Sequence, residues 1–500
     1  MKHLVKDEAQ KKEARGGKIL SEKHNPTPVS TVKEVIDAVL KAKEEKKVIR
    51  VVGSEHSCEA AIFPVDGVTL KLTGELQQVK ILDKTKENGE DWLYCSVGAG
   101  CYLGKNPMDP NSSMENSACK RVEAEGFGFP ELGGIIHQTV GGFIMTGSAG
   151  GSLNHSFSDV IQDIEFVDGN GQVQTAEPET DLWCAVGVSM GLFGVITQVK
   201  FRLPPMKFVT GTESTQTFAD SMLGPDKNGQ SRLKESLEKH EYMRVNWFPQ
   251  KKLMRVQEWL AEQSFENKDL VPYNSILSDP LKASLAAFVL SLCDCLLQMP
   301  DSVPHKYEAI GWCLSLFVPL TKDPKYFYDV WYHALPMDNE AQVDRIIKVD
   351  FTEIWVPLDQ CQTVMDKLQK LFAENQKAAG NFAIEIYSAK RCPFWMSMSY
   401  NQDMVRVDPY WFVCNKGDLR TYFSYFWDVL LDIPDTRLHW GKYLPLPGQK
   451  CGNTTFNAEY LKKVYPKMDD WLKLRKKHDP DQVFVTDYWR GILDIKPKSQ

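Results

Sequence analysis

Residues 133–151 read GGIIHQTVGGFIMTGSAGG, with glycine at seven of nineteen positions. Glycine at this density costs backbone entropy, and a chain keeps it where φ is positive or where backbone must approach something closely. Successive bare N–H groups in such turns make concave anion sites suited to a pyrophosphate. A flexible linker would share the glycines but not Ile135, Ile136, Val140, Phe143, Ile144 and Met145, which no solvated segment has use for. The spacing predicts a buried, phosphate-cradling segment around which the remaining chain is arranged.

Five hundred residues allow two or three domains and a large core. The net charge of −7, with no broad basic tract, argues against a nucleic-acid partner. Twelve cysteines in this length are no disulfide scaffold, and Cys293-x-Cys295 is a weak metal signal, so no metal is expected. The start, MKHLVKDEAQKKEARGGK, lacks the apolar stretch of a secretory signal. Residues 1–20 read as a charged leader, and the cytoplasm is the expected compartment. Two apolar runs, 284–297 and 309–320, fall short of the roughly 20 residues that span a bilayer. Buried core helices are expected there, with peripheral membrane contact as the alternative.

A helix, a strand and a histidine-bearing turn open the chain. Ser30 or Thr31 can cap the helix with Glu34 in its first turn, and Val32, Val35, Ile36, Val39 and Leu40 form its apolar stripe. The short apolar run 47–52 reads as a buried strand ending at Gly53, followed by Ser54-Glu-His-Ser. Residues 68–72, 76–82, 92–97 and 160–167 read as further strands, and 106–125, polar with Pro107 and Pro110, as an inserted surface loop. Glycine turns recur at strand ends: Gly53, then within 98–104, 141–151 and 191–194. Their convergence on one extended, phosphorylated cofactor would explain the pattern, whereas no G-x-G-x-x-G follows the first strand as a Rossmann fold requires. Pro204-Pro205 marks a boundary. Beyond it, strand-like runs (346–356, 382–387, 410–414) alternate with amphipathic helices (360–375, 419–431), as in an α+β substrate domain. Residues 458–477 read as one helix.

Arg50-Val-Val-Gly-Ser-Glu-His-Ser resembles the V-x-G-x-x-H-S turn of the vanillyl-alcohol-oxidase/p-cresol-methylhydroxylase (PCMH) flavoproteins, most of all their sugar-lactone and alditol oxidase branch. Gln138-Thr-Val-Gly-Gly-Phe-Ile-Met-Thr-Gly-Ser is similar to the segment that wraps the FAD pyrophosphate, and Gly191-Leu-Phe-Gly-Val-Ile-Thr to the adenine-side strand. His439-Trp-Gly-Lys442, followed by Tyr465-Pro and Asp479-Pro, resembles the branch's C-terminal signature. The motifs occur in the family's order and span nearly the whole chain.

The resemblance implies an α+β fold class: a two-lobed PCMH-type FAD-binding domain over 21–205, a cap over 206–430, and a segment over 431–500 that completes the active site and returns to the FAD domain. It implies FAD joined covalently to His56 through the 8α-methyl carbon. Val52, Gly53, Ser54, Glu55 and Ser57 would surround that link. Thr139, Val140, Gly141, Gly142, Thr146, Gly147, Ser148, Gly150 and Gly151 would follow the pyrophosphate, and Gly194, Val195 and Ile196 the adenine side. The implied reaction is oxidation of a CH–OH group of a sugar lactone, polyol or related small alcohol, by hydride transfer to flavin N5, with O2 reduced to H2O2. Lys442 is the cation implied near the flavin N1 and C2 carbonyl, and His439 lines the substrate site or orients a hydroxyl.

One position departs. The branch has Glu-x-Arg where this chain has Glu385-Ile-Tyr387, and that arginine contacts substrate. Glu385 keeps the acidic place; Tyr387 can hydrogen-bond a substrate oxygen, but a phenol with a reference pKa of about 10 is a poor base. Lys390 or Arg391 could reach in instead, although surface placement is expected for both. The aromatic run 393–400 belongs either to the core or to a less polar pocket. Two rival chemistries therefore stay open: desaturation or oxidative cyclisation of a less polar metabolite, and dehydrogenation with another acceptor. A flavin-binding protein without catalysis would have little reason to keep Glu385, His439 and Lys442.

Overall fold

The computed structural model describes residues 25–275, 280–338, 346 and 348–498, so the leader expected at 1–20 lies outside the described residues. Helix α1 (Val32–Glu45) begins as its sequence dictates: Thr31 Oγ1 accepts from the Glu34 N–H at 3.2 Å, and the Glu34 carboxylate accepts from the Ser30 N–H at 2.6 Å. Val35, Val39 and Ala42 form its buried face.

Strands β1 (Thr27–Val29), β2 (Val48–Val52) and β3 (Gly67–Leu72) make a parallel sheet in the order β1-β3-β2. An antiparallel sheet follows, ordered β4-β5-β8-β6-β7, from β4 (Val79–Glu87), β5 (Glu90–Gly98), β6 (Ile161–Asp168), β7 (Val173–Ala176) and β8 (Gly194–Leu203). The strand expected at 76–82 starts three residues late, because Gly74–Gln77 is a 3₁₀ turn. Nor is 106–125 a loop throughout. Helix α2 (Ala118–Glu123), capped by Ser117, buries Ala118, Cys119 and Val122, an apolar face that its polar neighbours conceal.

The glycine-rich segment joins β5 to β6 and contains a short helix, α3 (Val140–Thr146). Thr139 caps it, and Gly147 closes it at φ +71°, in the left-handed region that glycine tolerates best. Gly150 and Gly151 serve contact instead. A Cβ there would stand 2.3 Å from the Leu132 carbonyl oxygen and 2.2 Å from that of Met243.

A nine-stranded antiparallel sheet comprises β9 (Phe208–Thr217), β10 (Tyr242–Phe248), β11 (Arg255–Ser264), β12 (Lys325–Val330), β13 (Val349–Phe351), β14 (Ile354–Pro357), β15 (Ile384–Ala389), β16 (Met404–Phe412) and β17 (Arg437–Leu438). Their order is β12-β9-β11-β10-β15-β16-β14-β17, with β13 beside β16. The run 346–356, read as one strand, is broken at Thr352-Glu353, with residue 347 outside the described set.

Helices α4 (Pro280–Leu297) and α5 (Lys306–Phe317) pair with each other. Ala283, Ala286 and Leu290 of α4 pack on Tyr410 and Phe412, whereas Leu281, Phe288 and, on α5, Leu316 are 78%, 68% and 86% exposed. The expectation of buried core helices at 284–297 and 309–320 is therefore corrected. A helix apolar on every side reads the same whether or not all of its sides are covered. Helices α6 (Cys361–Glu374) and α7 (Leu419–Leu430) lie against the opposite face of the sheet.

The helix expected over 458–477 is two, α8 (Ala458–Val464) and α9 (Met468–His478), parted at Tyr465-Pro466 because proline offers no N–H and clashes with the preceding turn. The last residues return to the first sheet: the Ile49 N–H donates to the Val483 carbonyl at 2.8 Å and Trp489 Nε1 to that of Ala61 at 3.1 Å. The Cys58 N–H donates to the Gly441 carbonyl at 2.8 Å, which ties the His56 turn to the segment carrying His439 and Lys442.

Candidate active site

Register builds the site. Tyr387 on β15 stands opposite Arg406 on β16, and Glu385 opposite Asp408 on one side and Asn246 of β10 on the other. Directly opposed side chains share a sheet face. Asn246, Phe248, Glu385, Tyr387, Arg406, Asp408, Tyr410 and Phe412 thus line one cavity enclosing about 1240 Å³, its mouth included. Gly133, Gly134, Gln138, Ser148 and Ala149 of the glycine-rich segment and Glu353, His439 and Lys442 complete its polar end.

A narrower cavity of about 620 Å³ runs between residues 50–57 and α3, reaching Trp440 and Trp489. His56 and Gln138 line both cavities and so stand where the two meet. Glu55, just before that histidine, holds φ at +58°, a backbone state that side chains generally avoid.

Of the residues expected around a cofactor, Val52, Gly53, Ser54, Glu55, His56, Ser57, Thr139, Gly142 and Thr146 line the narrow cavity and Ser148 the large one. Gly150 and Gly151 border a small third cavity next to Tyr387. Val140 and Gly141 are buried in α3, and Gly147 ends it. Gly194, Val195 and Ile196 lie elsewhere, buried in β8 and paired with β6.

Lys442, His439, Glu385 and Tyr387 all line the large cavity, together with Glu353, Arg406 and Asp408, which sequence reasoning passed over. Arg406 is the hub. Its Nη2 donates to Tyr387 Oη at 2.6 Å, Glu353 Oε2 at 3.0 Å and Asp408 Oδ2 at 3.0 Å, and Nη1 to the Ala149 carbonyl at 2.7 Å. Its guanidinium also lies 3.9 Å from the Tyr387 ring centroid. Tyr410 Oη donates to Glu385 Oε2 at 2.7 Å. Lys442 Nζ lies 3.8 Å from Glu353 Oε1 and 4.4 Å from the centre of the Phe351 ring. The clue to Arg406 was the strand MVRVDPYWF, where charges recur at period two inside a run otherwise fit for a core.

The carboxyls divide by their surroundings. Burial pushes Glu385 and Asp408 above the usual carboxylate range. Burial also pushes Glu353 up, but His439, which carries charge only in acid, and the cations Arg406 and Lys442 outweigh it and hold this carboxyl down at about 2. Burial holds His439 down at about 4, so its ring is neutral near pH 7. His439 Nδ1 accepts the Gly441 N–H at 3.1 Å, which leaves the ring proton on Nε2 and makes that atom a donor.

Lys390 instead pairs with Asp159 at 2.9 Å on the protein surface, and Arg391 is exposed. In the run 393–400, Phe394, Trp395, Met396 and Met398 are core residues, with Phe394 packed 4.6 Å from the Trp183 ring. The aromatics of the large cavity come from outside this run: Phe248, Tyr273, Phe351, Phe382, Tyr387, Tyr410 and Phe412.

A family model described as ALO, D-arabinono-1,4-lactone oxidase, matches residues 199–492, more than half of the chain. L-gulonolactone oxidase of Mus musculus is 21% identical over 482 residues, covering 94% of each chain. L-gulono-1,4-lactone dehydrogenase of Mycobacterium tuberculosis (strain ATCC 25618 / H37Rv) is 21% identical over 463 residues, 92% of this chain and 94% of its own. Among solved structures, cholesterol oxidase from B. sterolicum superimposes with a TM-score of 0.67 at 14% identity, covering 93% of each chain.

Proposed function

The chain belongs to the D-arabinono-1,4-lactone oxidase family, with the α+β fold of the PCMH-type flavoproteins, and we propose that it oxidises a CH–OH group of a lactone or related alcohol at a flavin bound covalently to His56. One observation carries this reading: His56 stands at the junction of the smaller cavity, lined by residues 50–57 and the glycine-rich segment, and the larger one, lined by Glu353, Arg406, His439 and Lys442. The residues present fit that cofactor. A Cβ on Gly142 would meet only Thr139 Oγ1, at 3.0 Å, so the glycine leaves the narrow cavity open. Arg50, held by the carbonyls of Ala61, Met190 and Phe484, adds a buried cation to its lining.

A flavin held along residues 52–57 and the glycine-rich segment would supply the two-electron acceptor for the carbon-bound hydrogen. Arg406 and Tyr387 hold the substrate oxygen, taking the place of the arginine that the family's Glu-x-Arg would supply. Glu353, the carboxyl kept ionised, accepts the hydrogen bond of the substrate hydroxyl and orients it; with its acidity held at about 2 it does not keep the proton, which passes on to solvent. Lys442, lining the same cavity, would supply positive charge to a flavin gaining electrons there. Oxygen then takes the two electrons and two protons to give hydrogen peroxide.

Another electron acceptor is the second reading, favoured by the relative named a dehydrogenase. Anaerobic mixing with L-gulono- or D-arabinono-1,4-lactone is expected to bleach the flavin's visible band, and air to restore it with one peroxide per turnover. Bleaching that air does not reverse would select the dehydrogenase. A band that no lactone or simple alcohol bleaches would refute both.

One described helix, Pro280–Leu297, is long and apolar enough to cross a membrane. Only 28% of it is buried; it exposes Leu281, Leu285, Phe288 and Leu292, and α5, which pairs with it, exposes Trp312 and Leu316. Exposed apolar side chains on two paired helices suit peripheral contact with a lipid surface. The protein is expected to sediment with phosphatidylcholine vesicles, and the double variant Leu285→Asp/Phe288→Asp to bind about tenfold less. Equal sedimentation of the two proteins would exclude this face.

A further inference from the structure

Glu353, Arg406 and Lys442 cluster at one place in the large cavity. From there an unbroken aromatic path leads away. The Phe351 ring lies 6.2 Å from that of His56 and 5.0 Å from Tyr410; Phe382 lies 5.9 Å from Tyr410 and 5.4 Å from Phe412. Beyond Phe412 the path meets Leu290 of α4, with Met337 and Val349 packed beside it. Polar groups beside this path are partly engaged: Tyr273 Oη donates to Glu213 at 2.8 Å and Asn246 Nδ2 to Gln257 at 3.2 Å, while Asn246 Oδ1, level with Glu385, has no partner among the described residues. The hydroxyls of a bare sugar lactone would be drawn to Glu353, Arg406 and Lys442, and none of them gains from a wall of rings and methyl groups.

We propose that the substrate is an amphipathic alcohol, its hydroxyl-bearing head at Glu353, Arg406 and Lys442 and a linear apolar tail along Phe351, Tyr410, Phe382 and Phe412 towards Leu290. This inference rests on the CH–OH oxidation proposed above and names the substrate class for that site; the head reacts as already described. The wall that receives the end of the tail belongs to α4, whose other side is the exposed apolar face, so the tail points towards the surface best suited to lipid.

The test is a homologous series, an aldono-1,4-lactone bearing n-alkyl ethers of two to ten carbons on its terminal hydroxyl, used below their aggregation concentrations. Dissociation constants come from the change in flavin absorbance and kcat/KM from anaerobic reduction. The inference expects kcat/KM to rise at least about tenfold from the two-carbon to the eight-carbon ether, since each buried methylene contributes. Leu290→Trp, which fills the end of the path, is expected to bring the ratio of long-chain to short-chain kcat/KM towards one. A flat or falling series, with the parent lactone still oxidised, overturns the tail and leaves the oxidase reading standing. Failure of every member to reduce the bound flavin fails that reading itself, and the inference with it.

Discussion

Arg406→Met lowers kcat/KM by about a thousandfold or more and destabilises the fold by roughly 3–5 kcal/mol. Both effects come from the same geometry. The guanidinium is bonded to Glu353, Asp408 and Tyr387 and is 2% exposed, so its removal leaves Glu353 as a buried anion with only the more distant Lys442 to balance it. Because part of the loss could reflect poor folding, two further variants separate the causes. Arg406→Lys keeps the charge without the planar fork and is expected to fold while losing about a hundredfold in kcat/KM. The exchange Tyr387→Arg with Arg406→Tyr returns a guanidinium to the family's own position on the same sheet face, and it should recover more activity than either single change. Wild-type kcat/KM in a folded Arg406→Met protein would contradict the role assigned to this residue.

Lys442→Met is the second large effect. The ammonium sits in the large cavity, close to Glu353 and above the Phe351 ring, and the variant keeps the stem's length while deleting the charge. Loss of one preorganised electrostatic partner commonly costs about 10²–10³ in rate. The expectation is a fall of that size in the anaerobic reduction rate, with the substrate's dissociation constant changed by less than about tenfold, since the charge acts as electron density moves rather than on ground-state binding. A variant that binds substrate weakly but reduces its flavin at the normal rate would make Lys442 a binding residue instead.

What could be read from the sequence was local. The turn bearing His56, the cap of α1 and the His439–Lys442 segment each depend on a few consecutive residues whose types restrict the backbone. Arg406 was hidden because its meaning comes from register: only the pairing of β15 with β16 sets it opposite Tyr387, nineteen residues away. Glu353 was hidden by a break within an apolar run, which periodicity joins into one strand. For α4 the difficulty was different in kind. Its composition reports that the helix is apolar on all sides, while whether protein covers each side is a property of the whole fold. The split between α8 and α9 was within reach, since Pro466 marks it.

The central claim, a flavin held where the two cavities join at His56, is tested most directly by acid precipitation of the purified protein and the spectrum of its pellet. The account predicts a yellow pellet with the visible bands of flavin, and a white one from His56→Ala. A white pellet under a yellow supernatant would contradict the covalent link while leaving flavin at the site; colourless protein that takes up no added FAD would contradict the claim itself.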